Sequence, residues 1–441
     1  MQGALRPVRA QTDVRQALAS ITYSVYVIAM QAKQGDKIVI VGAGHAGGRT
    51  AQHLRAAGFA GDIALIGEEA SAPYERPALS KEILLGAKAP SELFLQKEHW
   101  WRESGIELSL ASRVSRIDRA DRSVSLADGR RLAFDHLVLA MGGAARRLSI
   151  PGADDSRVVT LRTMADGLAL AEHLTAAKRL VIVGGGVIGL EVAAAARKRG
   201  VDVTLIEAGD RLMARVVPPV VSDWLLDLHR GQGAAVHLKA RTEAIEALES
   251  SLIVRGIDNE GEPLAAQADL VLVAIGIDPA VDCLAGSGIG VRDGVLVDEF
   301  CRVDGAPIFA VGDVAMTRTS LGDGHVRLET WRNAENQSRA VAEFLCGRAT
   351  PYVEIPWMWS DQHGRNIQVV GRWAPGMTSL VRGSLGEAGS TCLFLDDGVV
   401  KGGVLIDQGR DRRFMETMVS DGKARALREL ADPTIPLRRL V

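Results

Sequence analysis

One strand–loop–helix–strand pattern occurs twice in this chain. "KIVIVGAGHAGGRTAQHLRAAGFAGDIALIGEE" begins at Lys37, and "RLVIVGGGVIGLEVAAAARKRGVDVTLIEAGD" begins at Arg179. Each copy opens on a short β-branched run, breaks at glycines, continues as an Ala-rich helix and returns through a second apolar run. Gly42 and Gly184 suit a tight turn, and Gly44 and Gly186 let backbone approach a pyrophosphate. Gly47 and Gly189 let helix and strand pack closely. The second apolar run ends in acid, at Glu68 and Glu69 in the first copy and Glu207 in the second. A carboxylate there accepts hydrogen bonds from ribose hydroxyls, and the helix N-terminus above the glycines favours phosphate. Turns alone do not require the acids, so the pattern predicts two bound dinucleotides. The natural pair is a flavin and a nicotinamide.

The order of the motifs divides the work. A late segment, "APIFAVGDVA" (Ala306–Ala315), reads as a strand ending at Asp313, whose carboxylate suits the ribityl chain of a flavin held by the first copy. Two more strand-like runs, Phe134–Gly143 and Ala268–Pro279, close the two units and mark crossings between them. The second unit is therefore inserted within the first. Glu207 argues for NADH, because a carboxylate bonds a free 2′-hydroxyl and repels a 2′-phosphate. Arg211 and Arg215 follow it as potential phosphate contacts.

A two-dinucleotide redox chain usually receives its electrons on a cysteine pair beside the flavin. Here the corresponding stretch, "PYERPALSKEIL" (Pro73–Leu84), has none and carries Lys81 instead. The four cysteines (Cys283, Cys301, Cys346, Cys392) are scattered and form no CxxC, so neither a zinc site nor a disulfide framework is indicated, and no metal is expected. Reducing equivalents must then leave the flavin directly, to oxygen or singly to a carrier protein. Lys81 can pair with Glu191, at the start of the second helix, where the two rings would meet. A net charge of −2 over 441 residues gives no support to a nucleic-acid or membrane partner. The run Ile21–Met30 is about half the length of a membrane span. Behind Arg6, Arg9 and Arg15 it weakly imitates a secretion signal, and an upstream-start extension of a cytoplasmic protein is the preferred reading.

These motifs, together with "AIGIDP", "ETWRNAENQ" (Glu329–Gln337) and "PWMWSDQ" (Pro356–Gln362), resemble the oxygenase-coupled NADH–ferredoxin reductases. Within that family the likeness is greatest to the reductase components of biphenyl-type aromatic-ring dioxygenase systems. The resemblance implies an α/β, glutathione-reductase-like fold with two Rossmann-type dinucleotide-binding domains and an α+β C-terminal domain. The expected partition is a disordered extension at 1–35, an FAD-binding domain at 36–148 and 272–349, an NAD-binding domain at 149–271, and a C-terminal interface domain at 350–441. It implies FAD contacts from Gly44, Ala46, Glu68, Arg76, Lys81, Val114, Arg146 (or Arg147) and Asp313, with Trp331 against the flavin where ferredoxin docks. NAD contacts would come from Val187, Ile188, Glu191, Glu207, Arg215 and Gly276. The sequence departs from the family's usual "ATG" at Met141, and the following loop lacks the usual proline.

The implied activity is NADH-dependent, FAD-mediated transfer of single electrons to a two-iron ferredoxin, Rieske-type by preference, that feeds a terminal oxygenase. A haem-monooxygenase ferredoxin, a rubredoxin, oxygen itself (an NADH oxidase) and a binding role like that of apoptosis-inducing factor are the alternatives. Lys81, Glu191 and Trp331 are the expected catalytic residues, and the chain is expected to be a monomer or weak homodimer. Trp357 and Trp359 alternate, so in a strand they share one face.

Overall fold

The computed structural model describes residues 31–318, 324–387 and 389–441. The first nucleotide unit is a five-stranded parallel sheet in the order Ile308–Ala310, His136–Leu139, Lys37–Val41, Asp62–Ile66, Ile106–Ser109. The second repeats it, in the order Ala235–His237, Asp202–Ile206, Arg179–Val183, Leu270–Val273, Val158–Thr160. These strands read as unbroken apolar runs because both faces of each sheet are covered. Ile38, Val39 and Ile40 are fully buried, as are Val181 and Ile182. In each unit an antiparallel three-stranded meander (Val114–Ala133, Arg241–Ala268) precedes the strand that returns to the sheet's centre.

The second unit is joined to the first by two short antiparallel strands, Gly143–Ala145 and Ile277–Pro279. This corrects the expected boundary at residue 272, which would cut the Leu270–Val273 strand of the second sheet. A buried parallel strand carries no alternation in its sequence, and nothing local marks its end.

Residues 357–441 build an antiparallel sheet of five strands, covered by the helix Arg412–Asp421 through Met415, Met418 and Val419. The extension expected to be disordered ends earlier than residue 35. The Ala32 N–H donates to Leu345 O at 2.9 Å, and Ala32 packs on the first unit's core. The signal-like run Ile21–Met30 and the rest of 1–30 lie outside the described residues. Among those described, no helix is long and apolar enough to cross a membrane.

Candidate functional site

Both glycine loops have the backbone that the residue types imply. Gly42 and Gly184 sit at φ 107° and 114°, the left-handed region, and a Cβ on them would lie 2.2 Å from Ala140 O and 2.4 Å from Ala274 O. A Cβ on Gly47 would be 1.8 Å from Gly42 O, and one on Gly189 would be 2.1 Å from Gly184 O. Gly44 and Gly186 are the N-caps of helices His45–Ala56 and Val187–Lys198. Neither helix has a side-chain cap or an acid in its first turn. Two helix N-termini with uncapped amides and glycine cradles suit two pyrophosphates. By this test the residues present fit two dinucleotides. Ala46 is buried in the first turn of its helix, while Val187 is half-buried and Ile188 is 41% exposed at the rim of the second loop.

The acids behave differently in the two copies. In strand register Glu207 corresponds to Gly67, so Glu68 lies one residue later than the repeat suggested. Glu207 Oε2 accepts from Gly185 N–H and Oε1 from Gly209 N–H, each at 2.5 Å. Glu68 is 73% exposed, with Arg113 at 3.8 Å. Its neighbour Glu69 is instead the anchor, pairing with Arg76 at 2.5 Å and accepting from Tyr74 Oη at 2.7 Å. Burial raises the Glu69 carboxyl, but Arg76 and Tyr74 prevail and hold it below its usual range. Arg76 also donates to Arg162 O, and its guanidinium lies 3.3 Å from where a Gly44 Cβ would be. Arg162 in turn pairs with Asp313 at 2.8 Å.

Arg146 is on the surface, paired with Asp278 at 2.8 Å, while Val114 is half-buried at the start of the first meander. In the second unit Arg211 is occupied by Val217 O, Ala214 O and Ser222 Oγ and is not free for a phosphate. The Arg215 guanidinium is 3.7 Å from where a Gly276 Cβ would be, and its charge acts on Glu329.

Lys81 and Glu191, 110 residues apart, meet between the units: Lys81 Nζ is 3.4 Å from Glu191 Oε1 and 3.3 Å from Asp361 Oδ2. Glu191 is 3% exposed. Burial pushes its carboxyl up, while Lys81, Ser80 and Ser360 oppose that shift. Ser80 Oγ donates to Oε2, and Ser360 Oγ donates to Oε1 at 2.8 Å. Lys81 also lies 5.4 Å from the Trp359 ring centre. Trp359 stacks on Trp357 at 5.1 Å and meets Trp331 edge-on at 6.0 Å. Trp331 opens the helix Trp331–Leu345, capped by Thr330, and lies 5.4 Å from His45 in the first loop. Among the described residues the buried Trp331 indole nitrogen has no hydrogen-bond partner, and it lies beside that loop.

Tyr74, Arg162, Asp361, Ser80, Ser360 and Trp359 belong to this constellation but were not legible as site residues, and Glu69, read as an acid at the strand's end, serves instead as the partner of Arg76 and Tyr74. The strand spacing placed Trp357 and Trp359 on one face, and no local signal said what that face meets. Among the described residues, no cysteine is one of the groups that bond or pair with Lys81 and Glu191. All four are free, and burial pushes Cys283 up to about 11 and Cys392 to about 12, with Cys301 and Cys346 also raised. Thiols so protonated are poor nucleophiles.

Residues 36–338 match the pyridine nucleotide-disulphide oxidoreductase family, and residues 357–441 match a reductase C-terminal domain. The ferredoxin–NAD(+) reductase component of the p-cumate 2,3-dioxygenase system of Pseudomonas putida is 42% identical over 404 residues, 91% of this chain and 98% of that protein. The corresponding component of the anthranilate 1,2-dioxygenase system of Burkholderia cepacia is 38% identical over 406 residues, 91% and 98% of the two chains. Among solved structures, putidaredoxin reductase in its covalent complex with putidaredoxin superposes with a TM-score of 0.86 at 33% identity, covering 92% of this chain and 98% of that one.

Proposed function

The chain belongs to the pyridine nucleotide-disulphide oxidoreductase family, and from that premise we propose that it is an NADH–ferredoxin reductase serving a terminal oxygenase. Bound in the first unit, FAD would supply the two-electron-to-one-electron switch, taking hydride from NADH and passing one electron to each of two ferredoxin molecules with release of a proton. The observation that carries this reading is the Lys81–Glu191 pair at the seam of the two units, where a disulfide reductase would keep thiols.

The chain's own groups have separable tasks. The amides above Gly44, with Arg76 beside them, hold the FAD pyrophosphate, and Asp313, braced by Arg162, takes a ribityl hydroxyl. Glu68, exposed at the first loop with only the solvated Arg113 pair to give up, takes the adenosine ribose. The open rim at Gly186, Val187 and Ile188 admits NADH. Glu207, held by two amides, meets its 2′-hydroxyl, and Arg215 and Gly276 line the far side. Lys81 supplies a fixed positive charge where negative charge builds on reduction, and Glu191 keeps it there. Trp331 and Trp359 give the outgoing electron an aromatic route to the surface shared with the C-terminal domain.

The acceptor is a two-iron ferredoxin. A Rieske-type protein is favoured, because relatives of this chain along nearly their whole length are components of aromatic-ring dioxygenase systems. Four free cysteines and no disulfide accord with a reducing cytoplasm.

Stopped-flow mixing separates the two halves of the reaction. Trp331→Ala is expected to leave flavin reduction by NADH within about twofold and to slow transfer to ferredoxin by about tenfold or more. Equal loss in both halves would remove Trp331 from the electron path. Failure of the wild-type protein to reduce any two-iron ferredoxin would overturn the function.

A further inference from the structure

The hydrogen bonds around Glu191 continue past its immediate neighbours. Ser360, which donates to Glu191 Oε1 at 2.8 Å, is reached by Gln362 Nε2 at 2.9 Å. Gln362 Oε1 lies 3.0 Å from His229 Nε2, and His229 Nδ1 lies 3.1 Å from His363 Nε2. Ser360, Gln362 and His229 are fully buried. Ser360 and Gln362 come from the first strand of the C-terminal sheet, His363 from the turn after it, and His229 from the helix Pro219–Gly231 of the second nucleotide unit.

Only one assignment of protons satisfies every link. The carboxylate accepts only, so the single hydroxyl hydrogen of Ser360 goes to Glu191. The Ser360 oxygen must then receive an N–H from Gln362, which fixes the amide with its oxygen toward His229. That oxygen accepts only, so His229 carries its proton on Nε2. A neutral ring leaves Nδ1 as an acceptor, and His363 must donate from Nε2.

The rings are held neutral. Burial pulls His363 down to about 4, helped by the His229 ring and the positive charge of Arg197 on the second-loop helix. Burial lowers His229 as well, against its bond to Gln362. His363 sits at φ 50°, first of the two residues in the His363–Gly364 hairpin turn, a place where asparagine is the usual choice. The rings meet edge to face with centres 4.5 Å apart, so the histidine there is tied to a specific contact.

We propose that His363, His229 and Gln362 are positioning residues for Glu191. Their one-way chain of donors runs from the hairpin turn of the C-terminal sheet into the seam between the nucleotide loops, aims the Ser360 hydroxyl at the carboxylate, and so fixes that carboxylate opposite Lys81. The inference rests on the reading of Lys81 and Glu191 given above.

Imidazole ¹⁵N NMR of the FAD-loaded protein tests the chain itself. His229 and His363 should both be protonated on Nε2 and not on Nδ1, and His363 should stay neutral down to about pH 5. His363→Asn keeps the turn and removes the ring. It should leave His229 Nδ1 without its donor, shifting that nitrogen's ¹⁵N resonance while the proton stays on Nε2, and slow flavin reduction at saturating NADH by about threefold or more, with NADH affinity within about twofold. Ser360→Ala should slow the same step by about tenfold, and Ser360→Thr should restore it. A proton on His229 Nδ1 in the wild type, or a His363→Asn protein with unchanged His229 Nδ1 resonance and rate, would overturn the proposal. Absence of ferredoxin reduction by the wild type would instead remove the functional reading and leave the tautomer result standing.

Discussion

The two glycine loops share strand register, left-handed first glycine and close-packed third glycine, yet they fill one position in opposite ways. In the second loop Gly185 leaves room for the Glu207 carboxylate, whose Oε2 would lie 3.1 Å from a Cβ placed there. In the first loop that position is Ala43, and the residue matching Glu207 is Gly67, where a Cβ would lie 2.5 Å from the Ala43 Cβ. The acid of the first loop is displaced one residue onward, to the exposed Glu68. Surroundings differ too. Gly44 faces the Arg76 guanidinium, and its helix is braced by the Trp331–Leu345 helix, where Ser338 Oγ donates to Ala46 O at 2.8 Å. A Cβ on Gly186 would meet none of the described residues within 4 Å. On the proposed assignment, one frame thus serves a braced loop for a resident cofactor and an open loop, with its acid held by two amides, for a nucleotide that must come and go.

The sharpest way to break this comparison is to add one methyl group to each loop. In Gly47→Ala and Gly189→Ala the new Cβ meets a backbone oxygen at 1.8 Å and 2.1 Å, and backbone must move. Overpacking of this kind costs about 1–3 kcal/mol or more. Gly47→Ala should purify with most of its FAD lost. Gly189→Ala should stay yellow with its KM for NADH raised about 100-fold. Flavin content by absorbance and steady-state kinetics check both, and identical phenotypes would contradict the division between resident and exchanging sites.

Next in size are the acids. Glu207→Ala removes the ribose acceptor and frees two amides. It should raise the KM for NADH by about 10- to 100-fold while changing that for NADPH far less. Glu68→Ala, at an exposed position, should weaken FAD binding by less than about tenfold, measured by titrating the apoprotein. An unchanged NADH-to-NADPH preference in Glu207→Ala would defeat the cofactor assignment.

The smallest expected difference is in acid sensitivity. The first-loop helix is clamped by Glu335, which lies within 3.3 Å of His45 and His53 and 2.8 Å from Arg49. Burial alone would raise that carboxyl, but these partners hold it far below the usual range, so its contribution is present above about pH 4.3 and survives well into acid. The second unit meets the C-terminal sheet through neutral His229 and His363. An unfolded histidine binds its proton near pH 6.5, whereas folded His363 resists protonation down to about 4. The unfolded state therefore holds more protons between these values. The contact's contribution is complete above about 6.5 and falls by up to about 1.4 kcal/mol per pH unit as pH drops toward 4. Hydrogen exchange at pH 5 should show the helix around His229 loosening before the helix His45–Ala56.

How much of this was legible follows from where each signal lies. The glycine positions were readable because a left-handed turn and a 2 Å approach tolerate one residue type, and Lys81 with Glu191 followed once the glycine motifs and the resemblance were combined. Arg146, expected at the flavin, is paired with Asp278 at the crossing strands, a contact its sequence neighbours do not announce. Partners that join through tertiary contact left no local trace. Ser360 reaches Glu191 from 169 residues away and Arg162 reaches Asp313 from 151. Glu69, not Glu68, became the anchor because Tyr74 and Arg76 converge on it from the next turn, which spacing alone does not reveal.

The central claim is that electrons leave for another protein's iron without passing through sulfur. The most direct measurement is reconstituted turnover, with NADH, this protein, a two-iron ferredoxin and cytochrome c as the readout, before and after alkylation of the NADH-reduced protein with iodoacetamide. Turnover that depends on ferredoxin and is unchanged by alkylation is the predicted result. Loss of activity on alkylation, or NADH consumption equally fast without ferredoxin, would contradict it.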